Sequence, residues 1–419
     1  MSSSSDASPG SGLVVRLAAN TLVQIGGNAI ALLISFFTFA AITRGLGPAQ
    51  FGDLTAANAY LFVPVILADL GLSAAVLRRI AADPASTERE MRGSLSLRAV
   101  VASVTLAAAV GVAVAIPFND RTEIAILIGS LGSFFTLMTL SLLPILQAEL
   151  RMHWAVAGQS VGRLTTLGLI LPVLEAGYGL KAVVAAQVVG LGVTFLIHLV
   201  GAARAVSLRP TLDLVQWREL VAGSFVLGLA IAFASIYFRI DALLVALVRS
   251  SVEVGLYGAA FKFIELSDVI SNAVLVSVTP PLTRFIATSD PRAKPLVQKA
   301  FDVLIAAAAP VVVLMIVFAP EIITFTSGEG FARAAGALQL LAPYVLLAFV
   351  NAVLWRTLLA AGRDRALLVF TFGVFSFNVI LNVIFLPLYG FKAAAVIAVA
   401  SEAAVLAPLA IAVHRLGLL

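Results

Sequence analysis

Cysteine is absent from the 419 residues, and histidine occurs only three times. The first absence excludes disulfides, thiolate metal sites and cysteine nucleophiles. His153, His198 and His414 are scattered and show no metal-ligand spacing. Charge is scarce too, at 12% of residues. No Gly-x-x-x-x-Gly-Lys-[Ser/Thr] phosphate loop is present, so the chain does not read as a nucleotide hydrolase. A polytopic transferase or ligase would carry a large acidic extramembrane loop, and no gap between apolar runs is long enough for one. These absences argue against an enzyme and against a bound cofactor.

What remains is mostly hydrocarbon: 61% of residues are hydrophobic and the mean hydropathy is +1.07. A bilayer core takes roughly 20 apolar residues per helical crossing. About twelve such runs follow one another, near 17–43, 54–77, 98–117, 124–147, 156–174, 181–203, 219–247, 254–280, 300–326, 335–361, 366–387 and 391–414. The expected fold class is therefore an all-α polytopic membrane protein. Pro64, Pro144, Pro172, Pro310, Pro343 and Pro408 fall inside the runs, where neighbouring helices can satisfy the freed carbonyls. The longest gap, 78–98, has room for one surface helix. Residues Met1 to Gly12 are rich in Ser, Gly and Pro and read as a disordered tail. They lack the basic region and apolar stretch of a signal peptide.

The basic balance, with a net charge of +5, follows membrane topology and does not call for nucleic acid. With the N-terminus inside, 17 of the 27 Lys and Arg residues fall on the cytoplasmic side, 6 on the other and 4 within spans. That asymmetry predicts N-in and C-in and contact with anionic membrane lipids.

The chain also repeats. Phe51-Gly52-Asp53-Leu54-Thr55-Ala56-Ala57 opens the second run, and Val254-Gly255-Leu256-Tyr257-Gly258-Ala259-Ala260 opens the eighth. Tyr178-Gly179-Leu180-Lys181-Ala182 precedes the sixth run, and Tyr389-Gly390-Phe391-Lys392-Ala393 precedes the twelfth. Members of each pair lie six runs apart and on the same side, which predicts parallel repeats about an axis along the membrane normal. The expected organisation is a cytoplasmic tail (1–16), a six-helix lobe (17–203), a basic linker (204–218), a second six-helix lobe (219–414) and a short tail (415–419). Two such lobes imply a central cavity and alternating access.

Several of these segments resemble one known family. Thr43-Arg44-Gly45-Leu46-Gly47-Pro48-Ala49-Gln50-Phe51-Gly52 is similar to the R-x-L-G-P-x-x-[YF]-G turn of bacterial polysaccharide-repeat flippases. Tyr237-Phe238-Arg239-Ile240-Asp241 resembles its seventh span, and Phe318-Ala319-Pro320-Glu321-Ile322-Ile323 its ninth-span exit. Asn378 and Asn382, followed by Leu386-Pro387-Leu388-Tyr389-Gly390, fit its eleventh-span end. The resemblance runs from about 17 to 414 and is to the polysaccharide transporter branch of the multidrug/oligosaccharidyl-lipid/polysaccharide (MOP) exporter superfamily, with MATE-like architecture. It implies a flippase of the bacterial cytoplasmic (inner) membrane. The implied cargo is an undecaprenyl-diphosphate-linked oligosaccharide, as in O-antigen or exopolysaccharide synthesis. It also implies neighbours among envelope polymerases and glycosyltransferases, and a cavity-lining role for Arg239 and Asp241.

Ionisable residues at bilayer depth cost about 2.5–3.5 kcal/mol each on insertion scales, so each marks a candidate site. Arg239 lies close to the middle of the seventh run, too deep to snorkel. Asp241, two positions on, faces elsewhere and needs another partner. Lys262, Glu265 and Asp268 share one face of the eighth run. A Lys262–Glu265 pair there either holds helices together or belongs to a gated site. Arg163 in the fifth run either has a structural role or meets diphosphate oxygens bidentately. Arg356 reads as snorkelling, and Asp69, near a helix end, as a cap or as a partner of Arg78 or Arg79. Glu402, central in the twelfth run, either carries a proton or bonds a neighbouring helix. Arg239, Arg163 and Lys262 are the expected cavity cations. Asn20, Asn28, Gln159, Asn272, Asn351, Asn378 and Asn382 either bond between helices or meet sugar hydroxyls. The main alternative is an ion-coupled small-molecule exporter of the same superfamily. A major-facilitator transporter and a non-transporting scaffold rank below it.

Overall fold

Apolar runs separated by Gly, Pro and polar turns fold into helices of membrane length. The structure is a computed structural model. It describes the backbone of residues 9–419 and the side chains of 26–27, 30–222, 225 and 228–419. Among the described residues there is no strand. The order is α1 (Pro9–Asp69), α2 (Leu72–Ala82), α3 (Thr87–Ala113), α4 (Asp120–Ala148), α5 (Met152–Glu175), α6 (Leu180–Ala203), α7 (Leu214–Val248), α8 (Ser251–Ala287), α9 (Ala293–Val317), α10 (Ala319–Ser327), α11 (Ala334–Ala360), α12 (Asp364–Tyr389) and α13 (Phe391–His414). Residues 1–8 of the expected tail and the side chains of Asn20 and Asn28 lie outside the described residues.

α1 comprises two spans. Gly47 has φ 67° and ψ 174°, a conformation that glycine adopts without steric cost. Pro48 starts the second limb, where its missing N–H is no loss. Counting both limbs, the structure has twelve long helical segments, with α2 and α10 as short additions. Side-chain caps explain several helix starts. Asn119 accepts the Thr122 amide, Asp213 those of Val215 and Gln216, and Ser250 that of Glu253; each cap satisfies orphan N–H groups of a first turn.

Two expected runs turn out to be broken. The one over 54–77 crosses a left-handed turn at Leu70 and Gly71, so the second limb of α1 ends at Asp69 and α2 starts at Leu72. The one over 300–326 is α9 plus α10, separated at Phe318 just before Pro320. Hydrophobicity is continuous through both breaks and does not reveal them. Arg98, read as a loop residue, lies within α3 at 1% exposure. Its guanidinium pairs with Asp69 at 2.6 Å and bonds Ser73 at 3.1 Å, so Asp69 is held by Arg98 rather than by Arg78 or Arg79.

The chain forms two six-span lobes. Within the first, α6 packs on α4 and α5, and α1 on α4 and α5; in the second, α12 packs on α7, and α11 on α8, α9 and α13. The lobes meet mainly where α1 crosses α8 and α7. The repeat seen in the sequence recurs in the contacts. Gln50 Oε1 accepts the Leu180 amide at 2.9 Å in one lobe, and Glu253 Oε2 accepts the Phe391 amide at 3.1 Å in the other. Each carboxyl or amide oxygen caps the positive end of its lobe's last helix. Lipid-facing stripes are plain on the outside: Ile30, Leu33 and Phe37 are each more than half exposed along one face of α1.

Nine stretches among the described residues are long and apolar enough to span a bilayer, the first of them running across both α1 and α2. The long helices α5 and α8 are absent from that set. They carry Arg163 and the Lys262–Glu265 pair. Arg163 and Thr166 of α5 and Lys262 and Glu265 of α8 line the space between the lobes.

Candidate functional site

A cavity of about 360 Å3 lies between the lobes, walled by α1, α5 and α6 on one side and α7 and α8 on the other. Arg163, Arg239, Lys262, Asp241 and Glu265 all line it. Five of the expected site residues are thus brought together from both lobes.

On the α7–α8 wall, Glu265 bridges two cations. Its Oε1 lies 2.8 Å from Arg239 Nη1, and its Oε2 lies 2.8 Å from Lys262 Nζ. Lys262 and Glu265 are three residues apart on α8, one helical turn, which permits the contact. The Arg239 guanidinium also sits 5.0 Å from the ring centroid of Phe62 across the lobe boundary, a cation–π geometry. On the opposite wall, Arg163 Nη1 donates to the Ala31 carbonyl at 2.7 Å and to Ser35 Oγ at 2.9 Å. Both partners are neutral. Three cations and two carboxylates therefore face the space, and the formal balance is positive.

Asp241 is 4% exposed and is the centre of a hydrogen-bonded group in the second lobe. Asn382 Nδ2 donates to Oδ1 at 2.8 Å, and Tyr257 OH to Oδ2 at 3.2 Å. Asn382 also donates to Asn378 Oδ1 at 3.1 Å, and Asn378 Nδ2 lies 3.4 Å from Ser401 Oγ. Asn378 and Asn382 are fully buried. They stand behind the cavity wall and fix the Asp241 carboxylate. Among the described residues no group of three or more His, Cys, Asp or Glu is placed to hold a metal ion.

Glu402 lies elsewhere, on a second cavity of about 440 Å3 lined by second-lobe helices and by Phe62 of α1. It is 6% exposed and accepts from Tyr237 OH at 3.0 Å and Asn351 Nδ2 at 2.6 Å. Arg356 and Asn272 line the same cavity, and Arg356 Nη2 donates to Asn272 Oδ1 at 3.1 Å. Arg356 therefore has a fixed partner inside the fold. Phe238 borders both cavities.

At the end that carries the Gly47 turn, the lobes are joined by polar contacts. Asp53 is fully buried. Its Oδ1 accepts from Ser251 Oγ at 2.5 Å and Asn119 Nδ2 at 2.7 Å, and its Oδ2 lies 2.9 Å from Arg121 Nε. This carboxylate ties α1 and the start of α4 to the first residue of α8. Arg44 donates to the Phe325 and Thr326 carbonyls at the end of α10, where the helix dipole favours a cation. Sequence reasoning quoted Asp53 only as part of the repeat. Its role is visible only once Ser251, almost two hundred residues away, is beside it. Asn58 and Gln187, which also line the first cavity, carry no charge in the sequence to mark them.

Two six-span lobes around a charged central cavity make this an all-α polytopic membrane protein. Solved structures show the same fold. The lipid II flippase MurJ in its inward closed conformation has a TM-score of 0.78 at 15% identity, covering 94% of this chain and 87% of that one. An inward-facing MATE family multidrug resistance transporter has 0.73 at 14% identity, covering 95% and 99%. The outward-facing conformation of a MATE family transporter has 0.65 at 16% identity, covering 96% of each. The family model described as polysaccharide biosynthesis protein matches residues 17–286, and the chain belongs to that family. A MatE model matches 227–384. The probable low-salt glycan biosynthesis flippase Agl15 of Haloferax volcanii is 21% identical over 394 residues, covering 91% of this chain and 80% of that protein.

Proposed function

We propose that the protein carries an undecaprenyl-diphosphate-linked oligosaccharide from the cytoplasmic to the periplasmic leaflet by alternating access. One observation carries the reading: cations from both lobes, Arg163 on α5 and Arg239 with Lys262 on α7 and α8, face one cavity. A diphosphate cannot enter hydrocarbon without replacement of its hydration. Fixed guanidinium groups supply that replacement with charge-assisted, bidentate hydrogen bonds. The polyprenyl tail stays in lipid, passing between the lobes. With the N-terminus in the cytoplasm, the end sealed by Asp53 and Arg44 is periplasmic, and the cavity belongs to a state closed on that side. O-antigen or exopolysaccharide precursors of the inner membrane are the cargo class this reading names. Asp241 and Glu402 are its candidate coupling groups, and Asn378 and Asn382 hold the first of them.

The MatE match over 227–384 favours a second reading, an ion-coupled exporter of small molecules. The experiment that separates the two is leaflet translocation of a fluorescent undecaprenyl-diphosphate oligosaccharide in proteoliposomes. Wild-type protein moves it, and Arg163→Ala and Arg239→Ala slow it at least tenfold. Movement of an organic cation with no movement of the lipid would replace the first reading with the second.

A further inference from the structure

Resting on the diphosphate reading of the first cavity, we infer that the second cavity is a saccharide subsite. It receives the first sugars of the headgroup while the diphosphate is held by Arg163, Arg239 and Lys262.

The two spaces adjoin. Phe238 lines both, and Phe62, whose ring carries the Arg239 guanidinium, lines the second. A ligand with a diphosphate beside Arg239 therefore has its next groups at this aromatic partition. The charge reverses across it. Three cations and two carboxylates line the first space, whereas Asp268 and Glu402 outnumber Arg356 in the second. Phosphate is disfavoured there, and a neutral polyol is not.

The lining chemistry fits sugar. Trp355, Phe370 and Tyr344 supply flat apolar faces on which the C–H face of a pyranose packs. Glu402 and Asn351 present carboxylate and amide groups suited to adjacent hydroxyls. The Glu402 carboxylate is already oriented by Tyr237 and Asn351. Two polar atoms of lining residues have no protein partner: the acceptor Asn351 Oδ1 and the donor Trp355 Nε1. Asn351 itself is 6% exposed. Buried polar atoms left unpaired are costly and call for a partner. A hydroxyl both donates and accepts, so sugar hydroxyls supply both the donor and the acceptor that these two atoms lack. A hydrocarbon cation such as tetraphenylphosphonium brings no acceptor for the indole N–H. The volume, about 440 Å3, falls in the usual range for ligand pockets, roughly 300–1,000 Å3.

The test uses the full chain in lipid nanodiscs. The probes are undecaprenyl diphosphate, the same lipid bearing glucose, galactose or N-acetylglucosamine, and tetraphenylphosphonium. Binding is read by thermophoresis. The expected result is that at least one sugar tightens wild-type binding tenfold or more. Trp355→Ala abolishes that gain and Trp355→Phe reduces it, with the loss confined to the glycosylated probes. Retained binding of the sugar-free lipid shows in the same titration that the variants are folded. Arg239→Ala weakens all the lipid probes together. Equal affinity for sugar-free and glycosylated lipids, or equal losses on both in Trp355→Ala, overturns the subsite while leaving the diphosphate reading in place. Tetraphenylphosphonium binding that disappears in Glu402→Gln overturns it in favour of a cation pocket. Failure of wild-type protein to bind any of the lipids removes the diphosphate reading, and the subsite with it.

Discussion

Gly52 and Gly255 hold equivalent places in the two repeats and touch each other. A Cβ on Gly255 would lie 3.1 Å from the Gly52 nitrogen and would collide with the Pro48 carbonyl; one on Gly52 would collide with the Ser251 carbonyl. One turn on, a Cβ on Gly258 would lie 2.8 Å from Cγ2 of Thr55, its own repeat counterpart. The pseudo-symmetry axis passes between these residues. Side-chain-free backbones let α1 and α8 cross at close range, as small residues do in membrane bundles.

The crossing leads to a first prediction. Gly255→Ala drives a methyl group into backbone on both sides, where nothing flexible can yield. Overpacking of this kind costs about 1–3 kcal/mol. A lowered melting temperature of the purified protein is expected, and Gly52→Ala should behave alike. Gly111 and Gly373, which have nothing within 4 Å of the added atom, are the controls. Unchanged melting in Gly255→Ala would mean that the lobes are not locked at this point.

Glu265 stands where an anionic ligand would, with one oxygen on each of two cations. Glu265→Gln removes the resident negative charge and leaves Arg239 and Lys262 free to bind a diphosphate. About tenfold tighter binding of undecaprenyl diphosphate is expected, equivalent to roughly 1.4 kcal/mol. Translocation should slow, since release weakens as capture improves. Weaker binding would show instead that Glu265 positions the cations.

Asp53 draws hydrogen bonds from Ser251, Asn119 and Thr122 and an ion pair from Arg121 onto one carboxylate, from two lobes. Asp53→Asn removes the charged acceptor, and hydrogen bonds to charged groups are worth about 1.5–3 kcal/mol each. Losing one such contribution moves a two-state equilibrium by roughly one to two powers of ten. The absence of cysteine makes the measurement clean. A single Asn58→Cys label in the cavity should react from the sealed side faster in the Asp53→Asn background. Equal labelling rates would assign the seal to Arg44 and the Gly52–Gly255 contact.

Glu402 lies on the second cavity, apart from the Arg239–Glu265–Lys262 cluster, and Tyr237 and Asn351 hold it. If it carries the coupling proton, Glu402→Gln uncouples lipid movement from a proton gradient without abolishing movement down a lipid gradient. Translocation is measured with and without an imposed ΔpH. A variant that keeps the wild-type ΔpH response assigns Glu402 to the subsite alone.

Depth in the membrane was readable from the sequence, but partner choice was not. Hydrophobic runs place Arg239 and Glu265 near mid-span, and helical spacing puts Lys262 beside Glu265. Neither tells which way a helix is rotated against its neighbours. Arg239 to Glu265 joins two adjacent spans, and Asp241 to Asn382 joins the seventh to the eleventh. Pairings of that second kind depend on packing across the whole lobe. Asn378 and Asn382 therefore read equally well as sugar contacts and as internal supports, and the structure puts them behind the wall. Glu402 read as solitary for the same reason, since its tyrosine and amide partners come from α7 and α11. The repeat was legible because it is written in local turns, Tyr178-Gly179-Leu180-Lys181-Ala182 and Tyr389-Gly390-Phe391-Lys392-Ala393, where Gly and aromatic residues leave a short signature.

The low hydropathy of α5 and α8 bears on how the protein is made. A helix entering lipid with Lys262, Glu265 and Asp268 exposed is a poor candidate for insertion by itself, at about 2.5–3.5 kcal/mol for each mid-helix charge. Pairing of Lys262 with Glu265 within one turn eases that burden before any neighbour arrives, but Arg163 on α5 has no such help nearby in its own helix. Its carbonyl and hydroxyl partners belong to α1, which is synthesised first. Insertion of the fifth span is therefore expected to be favoured when α1 is already beside it to receive Arg163.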